Sequence, residues 1–207
     1  YKQLSNPFFS ICRLSYPITL VHNYPYLFPF NQRLLAFKLT YFSPFFAIKT
    51  LINEFNLMDY ADLREFRPPP LSLQVDRDKL FEDGCKILEY FCAHSLEIEV
   101  SFLNDIATGP GPTRTFFLEL AKEFTRVDRG LFRNDYSFKR ESNEFCFSNN
   151  GLFPLPSNKT AEMTLFGILI AKSILMEISL NISINPAFFR MVAGNRITMA
   201  DVDPDFD

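Results

Sequence analysis

Apolar positions recur at helical spacing along much of this chain and alternate strictly in one short stretch. In "SPFFAIKTLINEF", Phe45, Ile48, Ile52 and Phe55 share one stripe, with Ser43 as cap and Pro44 at the first helical position. In "DRDKLFEDGCKILEYFCAH", Leu80, Gly84, Ile87, Leu88 and Phe91 make an apolar face. Asp76 or Asp78 is the cap, and the helix is expected to end near His94. Phe116, Phe117, Leu120, Ala121 and Phe124 repeat at the same spacing through "TRTFFLELAKEFTR". "MTLFGILIAKSILMEISL" (Met163 to Leu180) is apolar nearly all round and reads as a helix buried in a large core. Asn185-Pro186 opens a short helix that Gly194 stops, and Asn31 is expected to cap a helix through "QRLLAFKLTYF".

The alternating stretch is "LEIEVSF". Leu96, Ile98, Val100 and Phe102 point one way and Glu97, Glu99 and Ser101 the other, a half-buried strand. "GLFRNDYSFKRESNEFCFSNNG" reads as a hairpin: Phe132, Asn134, Tyr136 and Phe138 share a side, as do Phe145 and Phe147, across a "KRESN" turn. "RPPPLSLQV" (Arg67 to Val75) reads as an extended connector, residues 1–30 as an extended lead-in and "LFPLPSNKT" as loop. The pattern predicts a predominantly helical α+β fold, with short strands and a hairpin between buried helices.

Composition supports a folded chain. Of 207 residues, 47% are hydrophobic and 22% charged, close to ordinary globular values. A net charge of −3 argues against a nucleic-acid binder. The 25 phenylalanines and absence of tryptophan carry no functional implication of their own. Lys172 and Glu177 break the most apolar run well short of the ~20 residues a membrane span needs. The N-terminus, interrupted by Pro7, Arg13 and Pro17, lacks the apolar core of a signal peptide. Cys12, Cys85, Cys92 and Cys146 form no Cys-x-x-Cys pair, which fits a reducing intracellular setting. A start at Tyr1 and an end in "DVDPDFD" suggest a piece of a longer polypeptide.

Candidate chemistry fails motif by motif. "ATGPGPTRTFF" (Ala107 to Phe117) invites comparison with phosphate-binding loops, but Pro110 and Pro112 have no N–H to offer an anion. No lysine follows, and Arg114 is the nearby cation. The block fits an elbow instead: Pro112 suits the first helical position, and Gly109 and Gly111 suit a sharp strand-to-helix reversal. Cys85 and Cys92, seven apart, with His94 lack zinc-ligand spacing and read as core residues. Asp201, Asp203, Asp205 and Asp207 lack the glycine and glutamate of a calcium loop and read as a solvated loop or helix entry. There is no Gly-x-Ser-x-Gly elbow, and His22 and His94 sit in no nucleophile–base pattern. No catalytic, cofactor or metal residue is assigned.

The order of the pieces is more telling. A "LEIEV" strand leads into "ATGPGPTRTFF", then "RGLF" with an aromatic segment, "GLFPLP", "FGILIAKSILMEISLNISINPAFFRMVAG" and "ITMADVDPDF". This succession resembles the N-terminal lobe of the HECT ubiquitin ligases. "TGPGPT" and "GLFPLP" look most like their ubiquitin-fusion-degradation branch, and "YPYLFPFNQRLLAFKLTYF" is similar to the stretch preceding the catalytic domain there. The resemblance covers roughly residues 24–206. It departs from the family at Thr115, where an acidic residue is common, at Ala107, where glycine is usual, and in a longer "SFLND". It implies residues 1–70 leading into the domain and 71–207 as lobe. A cysteine thioester would carry ubiquitin from a conjugating enzyme to substrate lysines. The thioester cysteine is expected beyond Asp207, on a separate lobe. No cofactor, nucleic acid or membrane is implied, and the setting would be cytoplasmic or nuclear. A non-catalytic helical interaction module is the alternative. A membrane-associated protein is a third class, resting on the Phe-rich start and Met163–Leu180.

Overall fold

The computed structural model describes residues 20–41, 70–93, 98–135 and 144–205. The chain divides into two units, Tyr1–Pro69 and Pro70–Asp207. In the first, the end of the lead-in is not extended as expected. Residues 20–23 are helical and Pro25–Leu27 forms a 3-10 turn, with Pro25 at its start where the missing N–H costs nothing. Helix α1 spans Phe30–Tyr41. It begins one residue before Asn31, because the Pro29 carbonyl already accepts from the amides of Gln32 and Arg33 at 3.1 and 3.2 Å. The helix expected from Ser43 lies outside the described residues.

The second unit opens on a strand that the connector reading missed. Leu71–Val75 is β1, and it pairs in parallel with β2, Ile98–Phe102, in a register running from Leu71–Ile98 to Val75–Phe102. The prolines masked an alternation of Leu71, Leu73 and Val75 with Ser72 and Gln74. Between the strands runs α2, Leu80–Ala93, entered through a 3-10 turn at Arg77–Lys79 that Asp76 caps by accepting from the Asp78 amide. Leu80, Gly84 and Leu88 are buried as expected, and Ile98, Val100 and Phe102 fill the inner face of β2.

Helix α3, Pro110–Phe124, is the centre of the molecule, packed on β2, α2 and α4. Phe116, Phe117, Leu120, Ala121 and Phe124 are completely buried. Helix α4 spans Thr160–Leu175, five residues short of the expected end at Leu180. Glu177 takes a left-handed φ of 58°. The Ile178 amide then closes back on the Ser173 carbonyl at 2.8 Å, the usual glycine-terminated helix stop made without glycine. Beyond it, Ile178, Leu180, Ile182 and Ile184 pack on the core in extended chain, with Ser179, Asn181 and Ser183 exposed. Helices α5, Pro186–Val192, and α6, Met199–Val202, finish the described chain.

Phenylalanine rings tie these layers together. Phe81 of α2 meets Phe124 of α3 at 5.0 Å, Phe124 meets Phe166 of α4 at 5.5 Å, and Phe166 meets Phe132 at 5.2 Å. The expected hairpin is not a regular ladder among the described residues. Phe132 bridges Pro154 and Phe145 bridges Arg126, while the arms touch where the Asp135 amide donates to the Phe147 carbonyl. Its turn lies outside the described residues.

Candidate functional site

Two features position the segments that carry the resemblance. The first is the β2–α3 elbow. Gly109 caps α3 with φ 91°, a conformation that residues with a Cβ rarely adopt. Pro110, not Pro112, takes the first helical position, and Gly111 has no left-handed φ. Pro112 instead lies buried two residues into the helix. With no amide at either proline, half of the four free donors of a helix N-terminus are missing. Thr113 locks the elbow. Its buried hydroxyl oxygen accepts from the Val100 amide at 2.9 Å and donates to the Gly109 carbonyl at 3.1 Å. On the outside, Arg77 lies 3.9 Å from the Phe102 ring centre and donates to both Glu119 oxygens at 3.1 Å. Arg114 is exposed.

The second feature is built on "GLFPLP". Leu152–Leu155 runs between two other segments. The Arg133 amide donates to the Phe153 carbonyl and the Leu155 amide to the Leu131 carbonyl, at 2.8 and 2.9 Å. On the other side, the Leu152 amide donates to the Ser183 carbonyl and the Asn185 amide to the Leu152 carbonyl, at 2.8 and 3.0 Å. Gly151, at φ 87°, sits so close to this crossing that a Cβ would lie 2.8 Å from the Asn185 nitrogen. Asn185 is only 2% exposed and fully used: its Oδ1 accepts from the Ala187 amide and its Nδ2 donates to the Val202 carbonyl, both at 2.8 Å. The sequence marked Asn185 as a cap; its reach across to Val202 leaves no local signal.

The acidic end is ordered by pairing rather than solvated loop alone. Asp201 closes a capping box with Thr198 and accepts from Arg190 at 2.7 Å. The Thr198 amide and hydroxyl, with Arg190, hold its carboxyl down at about 2. Asp203 pairs with Arg133, and Asp205 is exposed. Asp207 lies outside the described residues.

The cysteines lack the setting of a nucleophile. A thiolate needs nearby positive charge or a helix N-terminus. Burial pushes the Cys85 thiol up to about 11, with Arg129 opposing and Glu89 and Glu162 reinforcing it. Burial and Asp128 raise Cys146, whose Sγ lies 3.6 Å from the Phe132 carbonyl. Cys12, His94 and the side chain of Cys92 lie outside the described residues, and His22 is exposed. Among the described residues, no group of three His, Cys, Asp or Glu side chains is placed to hold a metal. No described helix is long and apolar enough to cross a membrane.

Residues 118–207, from within α3 to α6 and beyond, match the HECT-domain (ubiquitin-transferase) family. The chain carries part of a HECT domain. It is 27% identical over 192 residues to a probable ubiquitin fusion degradation protein of Schizosaccharomyces pombe, a match covering 86% of this chain and 11% of that protein. It is 27% identical over 205 residues to the E3 ubiquitin-protein ligase UPL4 of Arabidopsis thaliana, covering 90% and 13%. Against ubiquitin fusion degradation protein 4 of Saccharomyces cerevisiae it is 28% identical over 189 residues, covering 84% and 13%. These likenesses run far N-terminal of the HECT match and take in the elbow. The chain spans little more than a tenth of the length of these relatives.

Proposed function

We propose that this chain is scaffold from the N-terminal lobe of a HECT ubiquitin-protein ligase, serving the ubiquitin-dependent degradation of proteins. Residues 1–70 lead into the lobe and residues 71–207 belong to it. The observation that carries the reading is the HECT match over 118–207 falling on a continuous core of α3, α4 and their connecting segments. In this reading the lobe does no covalent chemistry. Ubiquitin would travel as a thioester on a cysteine outside Tyr1–Asp207, received from a conjugating enzyme and passed to a substrate lysine. The suppressed thiols of Cys85 and Cys146 support that division of labour. Cytoplasm or nucleus would be the place of action.

A chimera tests this. Residues 70–205 replace the matching segment of the yeast ubiquitin fusion degradation protein 4, and turnover of a ubiquitin-fusion reporter is followed in cells lacking the native protein. Turnover well above that of the empty strain is expected. A chimera that accumulates, melts cooperatively and moves no ubiquitin favours the non-catalytic interaction module instead.

A further inference from the structure

We propose that residues 195–205 form a latch that swings open about Gly194 while the rest of the second unit stays folded. The inference is independent of the ligase reading, because it rests on how this segment is attached.

Apolar burial holds almost none of it. From Ala193 to Ala200 every residue is exposed except Ile197, and α6 has no buried residue. The body it rests on is the opposite case, with Phe116, Phe117, Leu120 and Phe124 at zero exposure. Segments with few buried apolar contacts open well below the free energy of global unfolding.

Attachment is instead polar, and it converges on three consecutive residues. Arg190 of α5 donates to Asp201 at 2.7 Å. Asn185 donates its side-chain N–H to the Val202 carbonyl at 2.8 Å. Arg133, fixed by its own amide to the Phe153 carbonyl, donates to Asp203. The last two pins hold the segment to the body and the first to α5. The Thr198–Asp201 capping box makes α6 a stiff unit that these pins grip together. At the far end the chain passes through Gly194 at φ 81°, with nothing within 4 Å of where a Cβ would stand. A pivot in open space and pins gathered at the other end are the parts of a latch. Opening would release Asp201 and Asp203 and free Arg133. The Asn185 Oδ1 would stay engaged on the Ala187 amide.

Amide hydrogen exchange of the 207-residue chain, followed residue by residue by NMR, tests the proposal. The amides of Asp201 and Asp203 report the latch, being bonded to the carbonyls of Thr198 and Met199. The amides of α3 report the body. Arg133→Ala and Asp203→Asn each remove one charge-assisted pin and should speed latch exchange roughly fivefold to tenfold. Exchange in α3 should be unchanged in both variants. Parallel acceleration of α3 would show that the segment opens only with the whole unit and overturn the proposal. Unchanged exchange at Asp201 and Asp203 in both variants would overturn it equally, by showing that the pin bears no load.

Discussion

Thr113 satisfies two backbone groups with one hydroxyl, and it does so where neither has another place to go. Replacing it with valine keeps the volume and leaves the Val100 amide buried without an acceptor. A loss of about 1–3 kcal/mol is expected in urea unfolding, against a small change for Thr113→Ser; equal losses for the two would remove the hydroxyl from the account. Cys85 gives a test in pH. Its folded-state pKa lies near 11, above its ordinary 9.0, so the native state favours the thiol over the thiolate. That stabilising contribution is complete below about 9 and is lost as pH rises toward 11. Alkylation of Cys85 should therefore keep accelerating beyond pH 9, and a plateau there would contradict the burial argument. At this scale the sequence was informative about types but not about partners. Pro at the head of α3 and Gly109 with positive φ were legible, yet Pro110 took the position expected of Pro112. The hydroxyl pairing of Thr113 with β2 depends on a tertiary approach that local pattern does not encode.

Among the elements, the apolar stripes of α2 and α3 were legible because each buries one face at helical spacing. The end of α4 was not. Its composition stays apolar through Leu180, so nothing in the hydropathy marks the stop that Glu177 makes in a left-handed conformation. The strand β1 was hidden for the opposite reason, since three prolines dominate the reading of a five-residue alternation behind them. The chain of rings from Phe81 through Phe124 and Phe166 to Phe132 is what joins α2, α3 and α4 to the segment before "GLFPLP". Phe166→Ala removes a link with rings on both sides and should cost about 3–5 kcal/mol. Thermal and urea unfolding measure it; a cost near that of an exposed site would mean that the cluster is not structural. Phe147, 49% exposed, is the comparison site.

For the whole molecule, fold class and family resemblance were legible from the order of segments, a property that survives when single motifs are weak. What escaped was how those segments cross. The antiparallel contact of 131–133 with 153–155 and the crossing at Asn185 join parts that are distant in sequence. The small sheet has a further consequence. The Val75 carbonyl accepts from Leu103, and in a parallel ladder alternate residues face opposite edges, so the backbone groups of Ser72 and Gln74 point away from β2. Both residues are exposed, and Leu71–Val75 contains no charge to discourage another strand from pairing there. Pro68, Pro69 and Pro70 stand immediately before it, three successive positions with no amide to donate. The triplet that disguised the strand thus acts as its guard, keeping the open edge too short to template a second chain. Pro70→Val should lengthen that edge and raise light scattering of the purified chain at a given concentration, with unchanged scattering as the contrary result.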